Sequence, residues 1–247
     1  MKQILITGAT SGIGYSAAKS FQQLGHQVII TGRRPEKLDQ ALHSLNTTHT
    51  GNPVQGLICD QAVPADIEQL SATLTAQGIH LDALILNAGI FEPQPFDTMT
   101  LDVLEHTMRV NFTGPLLLAQ TLSQRMKNPG SMVFVSSIVV GKAFASTIAY
   151  SASKAAFEGA MGAMNVELAD KGIRVNCVRP GVTATEIQAK SGMDNDAIAG
   201  LQQAMSQTPA GRMLEPADIV PAIKYLALES SLGARNATVT IDGGYCL

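Results

Sequence analysis

Short apolar runs alternate along the chain with longer stretches in which apolar residues recur at helical spacing. The runs at 3–7, 27–31, 54–60, 83–87, 132–136, 174–179 and 238–242 predict seven strands. Several are apolar at consecutive positions, as in Val28-Ile29-Ile30 and Met132-Val133-Phe134-Val135. A strand apolar on both sides is covered on both sides, which points to a parallel sheet with helices on each face. Helical stretches fall between the strands, beginning with 15–24. The pattern therefore predicts an α/β fold of the doubly wound type, with seven parallel strands.

A length of 247 residues accommodates one large domain or two small ones. No repeat, low-complexity stretch or linker divides it, so one domain over 1–247 is expected. An apolar content of 45% supports a substantial core. A net charge of −3 with no basic run argues against nucleic acid or an anionic membrane surface as partner. The chain has no tryptophan and only 4% aromatic residues, which speaks against sugar or base stacking. Nothing approaches the ~18 consecutive apolar residues that span a bilayer. The apolar start Ile4-Leu5-Ile6 is too short for a signal peptide. Cys59, Cys177 and Cys246 are scattered and odd in number, and the first two sit in apolar runs, so reduced thiols and a cytoplasmic protein are expected. No metal site is expected.

The chemistry concentrates between Ser137 and Lys154. Ser137 follows the apolar run at 132–136, Tyr150 comes thirteen residues later, and Lys154 four after that. Tyr150-Ser-Ala-Ser-Lys154-Ala-Ala-Phe reads as a helix, so phenol and ammonium share a face. A free phenol ionises near 10, and bringing it to neutrality takes about 4 kcal/mol. A cation ~4 Å away at an effective dielectric near 20 supplies about that much, while desolvation opposes it. Taken alone, the pair also reads as an ordinary Tyr and Lys on a surface helix.

The first strand runs directly into Thr7-Gly8-Ala-Thr-Ser11-Gly12-Ile13-Gly14 and then a helical pattern. That spacing lets a pyrophosphate approach the backbone at a helix N-terminus, although a glycine cluster by itself reads equally as a tight turn. Asn87-Ala88-Gly89, Asn111, Ser137, Tyr150, Lys154 and Pro180-Gly181 follow in that order. With these residues the chain resembles the short-chain dehydrogenase/reductase family over residues 1–244. The resemblance implies a Rossmann fold and an oxidoreductase that interconverts a carbonyl and a secondary alcohol by hydride transfer.

It also implies roles. Gly8, Ser11, Gly12, Ile13 and Gly14 would line the coenzyme phosphates. NAD-preferring members carry an acid where Gly32 stands; here Arg33 follows, which favours NADP(H) over NAD(H), with Arg34 assisting or simply starting a helix. Asp60 would receive the adenine amino group or cap a helix. The family's Asn-Asn-Ala-Gly begins with Leu86 here, so only Asn87, Ala88 and Gly89 carry over, bracing the sheet and admitting the ribose. Asn111 would distort its helix and hold a water in a proton relay, or else be plain core polarity. Ser137 and Tyr150 would bond the carbonyl oxygen, Lys154 would acidify the phenol with help from an oxidised nicotinamide, and Ser136 would be structural. Pro180, Gly181 and Thr185 would meet the nicotinamide. Residues 186–213 would form a lid carrying Met193, Met205 and Met213, and the C-terminal segment would serve a homotetramer or homodimer.

The substrate stays open. Length and C-terminus resemble 3-oxoacyl-carrier-protein reductases, where Lys127 and Lys171 would dock an acidic acyl carrier protein, but Asn128 stands where that subgroup places Arg. A small ketone, aldehyde or sugar fits equally. Ile90, Phe91, Ala143 and Phe144 would give an apolar pocket or belong to the core. A dinucleotide-sensing regulator on the same fold is the alternative from another class; such proteins typically lose the tyrosine or lysine, and both are present here.

Overall fold

The computed structural model describes residues 1–48 and 51–247. All seven expected strands form: β1 Gln3–Ile6, β2 Gln27–Gly32, β3 Gln55–Ile58, β4 Leu81–Leu86, β5 Met126–Val135, β6 Ile173–Pro180 and β7 Thr238–Ile241. They pair in parallel in the order β3-β2-β1-β4-β5-β6-β7. Along β1, Ile4 and Ile6 face one apolar layer and Leu5 the other, as the strand's period of two requires. The helices α1 Gly12–Gln23, α2 Pro35–Thr48, α3 Pro64–Ala76, α4 Leu101–Met108, α5 Gly114–Ser123, α6 Ile148–Glu167, α7 Ile187–Lys190, α8 Asn195–Ser206 and α9 Pro216–Ala227 complete the chain.

The two layers fall on opposite faces of the sheet. Phe21 from α1 and Ile219, Ile223 and Leu226 from α9 join Ile4, Val28 and Ile30 on one face. Leu70 from α3, Leu118 from α5 and Phe157 from α6 join Leu5, Ile29 and Phe134 on the other. Phe134 stacks on Phe157 with ring centroids 4.0 Å apart, locking α6 to β5 directly beneath the site described below. Each such buried ring contributes roughly 1.5–3 kcal/mol over an exposed one. The fold is the doubly wound Rossmann type, in one domain.

Strand ends shift from the apolar pattern by a residue or two in most strands, and the shifts in β3 and β5 have identifiable reasons. β3 is shorter than 54–60 because the Asn46 side chain takes both backbone groups of Val54, accepting from its N–H at 2.7 Å and donating to its carbonyl at 3.1 Å. At its other end, Asp66 accepts from the Asp60 amide at 2.9 Å. β5 begins six residues before its apolar run, because Met126 pairs with Leu81 across an irregularity in register. Among the described residues no helix is long and apolar enough to cross a membrane. Cys59 and Cys177 are buried free thiols and Cys246 is exposed.

Strand order reverses between β1 and β4, so the loops leaving their C-terminal ends diverge and open a crevice. β5 and β6 deliver their own C-terminal residues to the same edge.

Candidate active site

Gly8 and Gly12 adopt φ values of 62° and 59°, a conformation other residues resist. A Cβ at Gly8 would sit 2.7 Å from the Ala88 Cα, so the ends of β1 and β4 approach backbone to backbone. Asn87 fastens that approach: its Nδ2 donates to the carbonyls of Thr7 at 2.9 Å and Gly8 at 3.1 Å. The Thr7 hydroxyl oxygen accepts from the amides of Asn87 and Ala88, both at 3.0 Å. A Cβ at Gly14 would lie 2.5 Å from the same Asn87 Nδ2. The bracing expected of Asn87 is thus geometrically present.

Ser11 stands at the N-cap of α1, yet its side chain caps no backbone amide, leaving those donors facing the crevice. Its hydroxyl bonds Glu186 instead. The Glu186 carboxyl is held below the usual range by Lys190 (2.6 Å away), against some burial and with help from Ser11 and Lys37. A Cβ at Gly12 would meet the Thr185 methyl at 3.2 Å, so the glycine turn and the segment after β6 touch. The Thr185 hydroxyl points at Gln188 Oε1, 3.3 Å away.

The crevice encloses about 740 Å³. Every residue given a catalytic or coenzyme role from the sequence lines it except Gly14 and Asn111, which lie immediately behind its wall; of the expected pocket and lid residues Ile90, Phe91, Phe144 and Met193 line it, and Ala143, Met205 and Met213 do not. At one end Arg33, half-exposed, places NH1 3.9 Å from Asp60 Oδ2. Asp60 Oδ1 accepts from the Ala62 amide at 3.0 Å, so this carboxylate turns the chain and faces the guanidinium at once. Arg34 is exposed and its carbonyl accepts from Leu38 N at 3.0 Å, opening α2. A Cβ at Gly32 would fall 2.6 Å from the Thr10 methyl.

At the other end, Lys154 is 3% exposed. Its Nζ donates to the Val135 carbonyl at 2.9 Å and lies 4.8 Å from the centre of the Phe134 ring and 5.7 Å from that of Tyr150. Burial pulls Lys154 down to about 8, with Cys177 and Glu158 opposing. Tyr150 lines the crevice with its ring 5.0 Å from Phe91. Burial pushes its phenol up to about 12, against a hydrogen bond with Ser137. Among protein groups alone burial outweighs the Ser137 bond at the phenol, and the ammonium is directed at the strand carbonyl.

Asn111 lies in a π-helical turn, Arg109–Thr113, that widens the helix between α4 and α5. The side-chain amide clamps Ile90, accepting from its N–H and donating to its carbonyl, both at 2.9 Å, and donates to Ser153 Oγ at 3.1 Å. Both amide protons are used and one Oδ1 lone pair remains for a water. A Cβ at Gly89 would come within 3.1 Å of that Oδ1 and 3.3 Å of Lys154 Nζ, so only glycine leaves the two groups undisturbed.

Two groups were not found by sequence reasoning. Gln61 Nε2 donates to the Val110 carbonyl inside the π-turn at 2.7 Å and to the Ala88 carbonyl at 3.1 Å, and no sequence signal marks it. Glu158 accepts from Arg179 Nε at 3.0 and 3.1 Å and from Ser136 Oγ at 2.5 Å. It stands one turn beyond Lys154, and the 150/154/158 spacing marks the shared face. Ser136, read as structural, joins this pair, tying the residue before Ser137 to the residue before Pro180.

One expectation is overturned. Lys127 is the second residue of β5 and Lys171 stands two residues before β6, whereas the crevice lies at the other ends of these strands. From Met126 to Phe134 the strand spans the length of Leu81 to Leu86 on β4, roughly 17 Å, and the Lys127 ammonium is held by Asp82 at 2.7 Å. Neither lysine stands at the site's mouth to receive a carrier.

Comparison with known proteins gives the family. The short chain dehydrogenase family model matches residues 2–196. The human "Dehydrogenase/reductase SDR family member 4" is 31% identical over 98% of this chain and 87% of its own. Glucose 1-dehydrogenase of Gluconobacter oxydans is 32% identical over 100% of this chain and 92% of its own. The structure of a short chain dehydrogenase from Burkholderia cenocepacia in complex with NADP superposes with a TM-score of 0.87 at 27% identity, covering 98% of this chain and 97% of that one. The glycine turn, the switch-point crevice and these matches together make the chain a member of the short-chain dehydrogenase/reductase family of oxidoreductases.

Proposed function

We propose that the protein interconverts a carbonyl and a secondary alcohol with NADP(H), Tyr150 acting as general acid and base. The observation that carries this reading is the hydrogen-bonded Ser137–Tyr150 pair, beside buried Lys154, opening on the same crevice as the glycine turn. The crevice fits a dinucleotide on its own geometry: positive-φ glycines with no side chain, free α1 amides, and Arg33 at the far end. Bound there, the nicotinamide supplies or accepts the hydride and, when oxidised, adds a positive charge beside the phenol.

The chain's own residues do the rest. Ser137 and Tyr150 donate to the carbonyl oxygen and stabilise the charge that develops on it. Tyr150 gives its proton in reduction and takes one in oxidation. Lys154 favours the phenolate, and Asn111 holds the water through which Tyr150 is resupplied. Residues 186–213 act as the lid, since α7 and α8 bring Glu186, Met193 and Leu201 to the crevice wall. A homo-oligomer is supported by Leu101, Ile148 and Val166, exposed on α4 and α6.

The coenzyme preference is tested at Arg33. A guanidinium bonds a 2′-phosphate in bidentate fashion, and no acid at position 32 repels one. Arg33→Ala should raise the NADPH dissociation constant about tenfold or more while leaving that for NADH within about twofold. Fluorescence titration measures both, and equal losses would remove the 2′-phosphate role.

A further inference from the structure

The chain is poor in rings, with seven Phe and four Tyr, yet Phe91, Phe144, Tyr150 and Tyr245 all line one crevice. They arrive from separate places. Phe91 leaves β4 and packs on Tyr150 at 5.0 Å. Phe144 lies in the loop after β5, and Tyr245 comes from the C-terminal turn to stack on it at 5.9 Å and 19°. The Tyr245 ring is held there: Lys142 Nζ donates to its carbonyl at 2.7 Å and sits 4.2 Å over its ring. The Gln94 amide donates to the Ser146 carbonyl at 3.0 Å, tying the Phe91 loop to the Phe144 loop. The wall is therefore pre-formed from rings.

Three polar side chains of the same crevice are already engaged. Thr147 Oγ1 donates to the Phe144 carbonyl at 2.8 Å and accepts from Ser151 at 3.1 Å. Gln188 Nε2 donates to the Thr183 carbonyl at 2.7 Å, and the Thr183 hydroxyl donates to that of Gly181 at 2.9 Å. A polyol bound here would have to share the few groups that remain, such as the Glu92 carboxylate and the Tyr245 hydroxyl, and hydroxyls left over are costly once water is excluded. Of the charged groups beside the rings, the Lys142 ammonium is taken up by the Tyr245 carbonyl and ring, whereas the Glu92 carboxylate, 3.8 Å from His106, lines the crevice and disfavours anions.

Resting on the oxidoreductase reading above, we propose that the substrate is an uncharged monoketone, or the matching alcohol, borne on an aromatic or alicyclic ring. The ring packs against Phe91, Phe144 and Tyr245 while its carbonyl meets Ser137 and Tyr150. In reduction the carbonyl carbon gains the hydride from NADPH and the oxygen gains the Tyr150 proton, giving the secondary alcohol and NADP⁺.

The test compares kcat/KM with NADPH for acetophenone, propanone, a ketose and a 3-oxobutanoyl N-acetylcysteamine thioester. Acetophenone should exceed each of the others by about tenfold or more. Tyr245→Ala should lower the acetophenone-to-propanone ratio about tenfold, since it removes one wall of the ring site. Preference for the ketose or thioester, no acetophenone turnover by enzyme that binds NADPH, or an unchanged ratio in Tyr245→Ala overturns the substrate class. Tyr150→Phe run in parallel separates the two levels: turnover that survives it overturns the acid/base reading itself, and the proposal with it.

Discussion

Tyr150→Phe should lower kcat by about a thousandfold or more while leaving the NADPH dissociation constant within about twofold of the parent. The substitution keeps the ring, so its contact with Phe91 survives and no cavity opens. What goes is one hydroxyl, which on the proposed mechanism serves both as proton donor and as one of two hydrogen bonds to the developing alkoxide. Positioned acid–base groups are worth about 10²–10⁴ in rate, and a lost donor to an oxyanion about 10²–10³. Ser137 remains as the second donor, so a residual rate is expected. Single-turnover absorbance of NADPH with a saturating ketone measures the step directly. A kcat within tenfold of the parent would remove Tyr150 from the chemistry.

Lys154→Met should abolish turnover and yet raise the unfolding free energy at pH 7, by about 1 kcal/mol. The lysine is nearly fully buried, and burial lowers it from its ordinary value of 10.5 to about 8. That gap represents about 3 kcal/mol held against the charged form in the folded state. Met fills the same space without a charge but forfeits the bond to the Val135 carbonyl and the contact with two rings, offsetting about 2 kcal/mol of the gain. The pH dependence identifies the cause. The unfolded chain keeps the lysine proton up to about 10.5 and the folded chain releases it near 8, so the penalty is full below pH 8 and fades as pH rises between those values. The variant's advantage should therefore shrink and then reverse over that interval in urea titrations, as the penalty on the parent falls below the contacts the variant has lost. Readings below pH 10 avoid Tyr150, whose raised phenol keeps its proton in the folded state up to about 12. A variant less stable than the parent at pH 7, or a difference that ignores pH, would contradict this account.

The strands were legible because a sheet covered on both faces needs apolar residues at consecutive positions, and little else in a chain looks like that. Their ends were less so, since a side chain such as Asn46 can take the place of a neighbouring strand and no period records it. The site residues were legible through order and spacing: the glycine turn, Asn111, Ser137 and the Tyr150–Lys154 pair reach one crevice or its wall. The balance of forces on Tyr150 was not. Its desolvation depends on how closely Phe91, Val135 and their neighbours assemble around it, and they come from distant parts of the chain. Lys127 and Lys171 were misplaced for a simpler reason. Residues at the start of a strand lie at the opposite end of a parallel sheet from residues that follow it; Lys127 is the second residue of its strand and Lys171 precedes its own.

The contact between Gly32 and Thr10 bears on how coenzyme preference can be altered. An aspartate at 32, the acid that would suit an unphosphorylated ribose, must push its first carbon into the Thr10 methyl, 2.6 Å away. Thr10→Ser removes that methyl. Gly32→Asp introduced alone should therefore weaken NADPH without gaining NADH, whereas the same change made after Thr10→Ser should gain it. On the proposed NADP(H) preference, any mutational route to NAD(H) then has a preferred order, with Thr10 changing before Gly32.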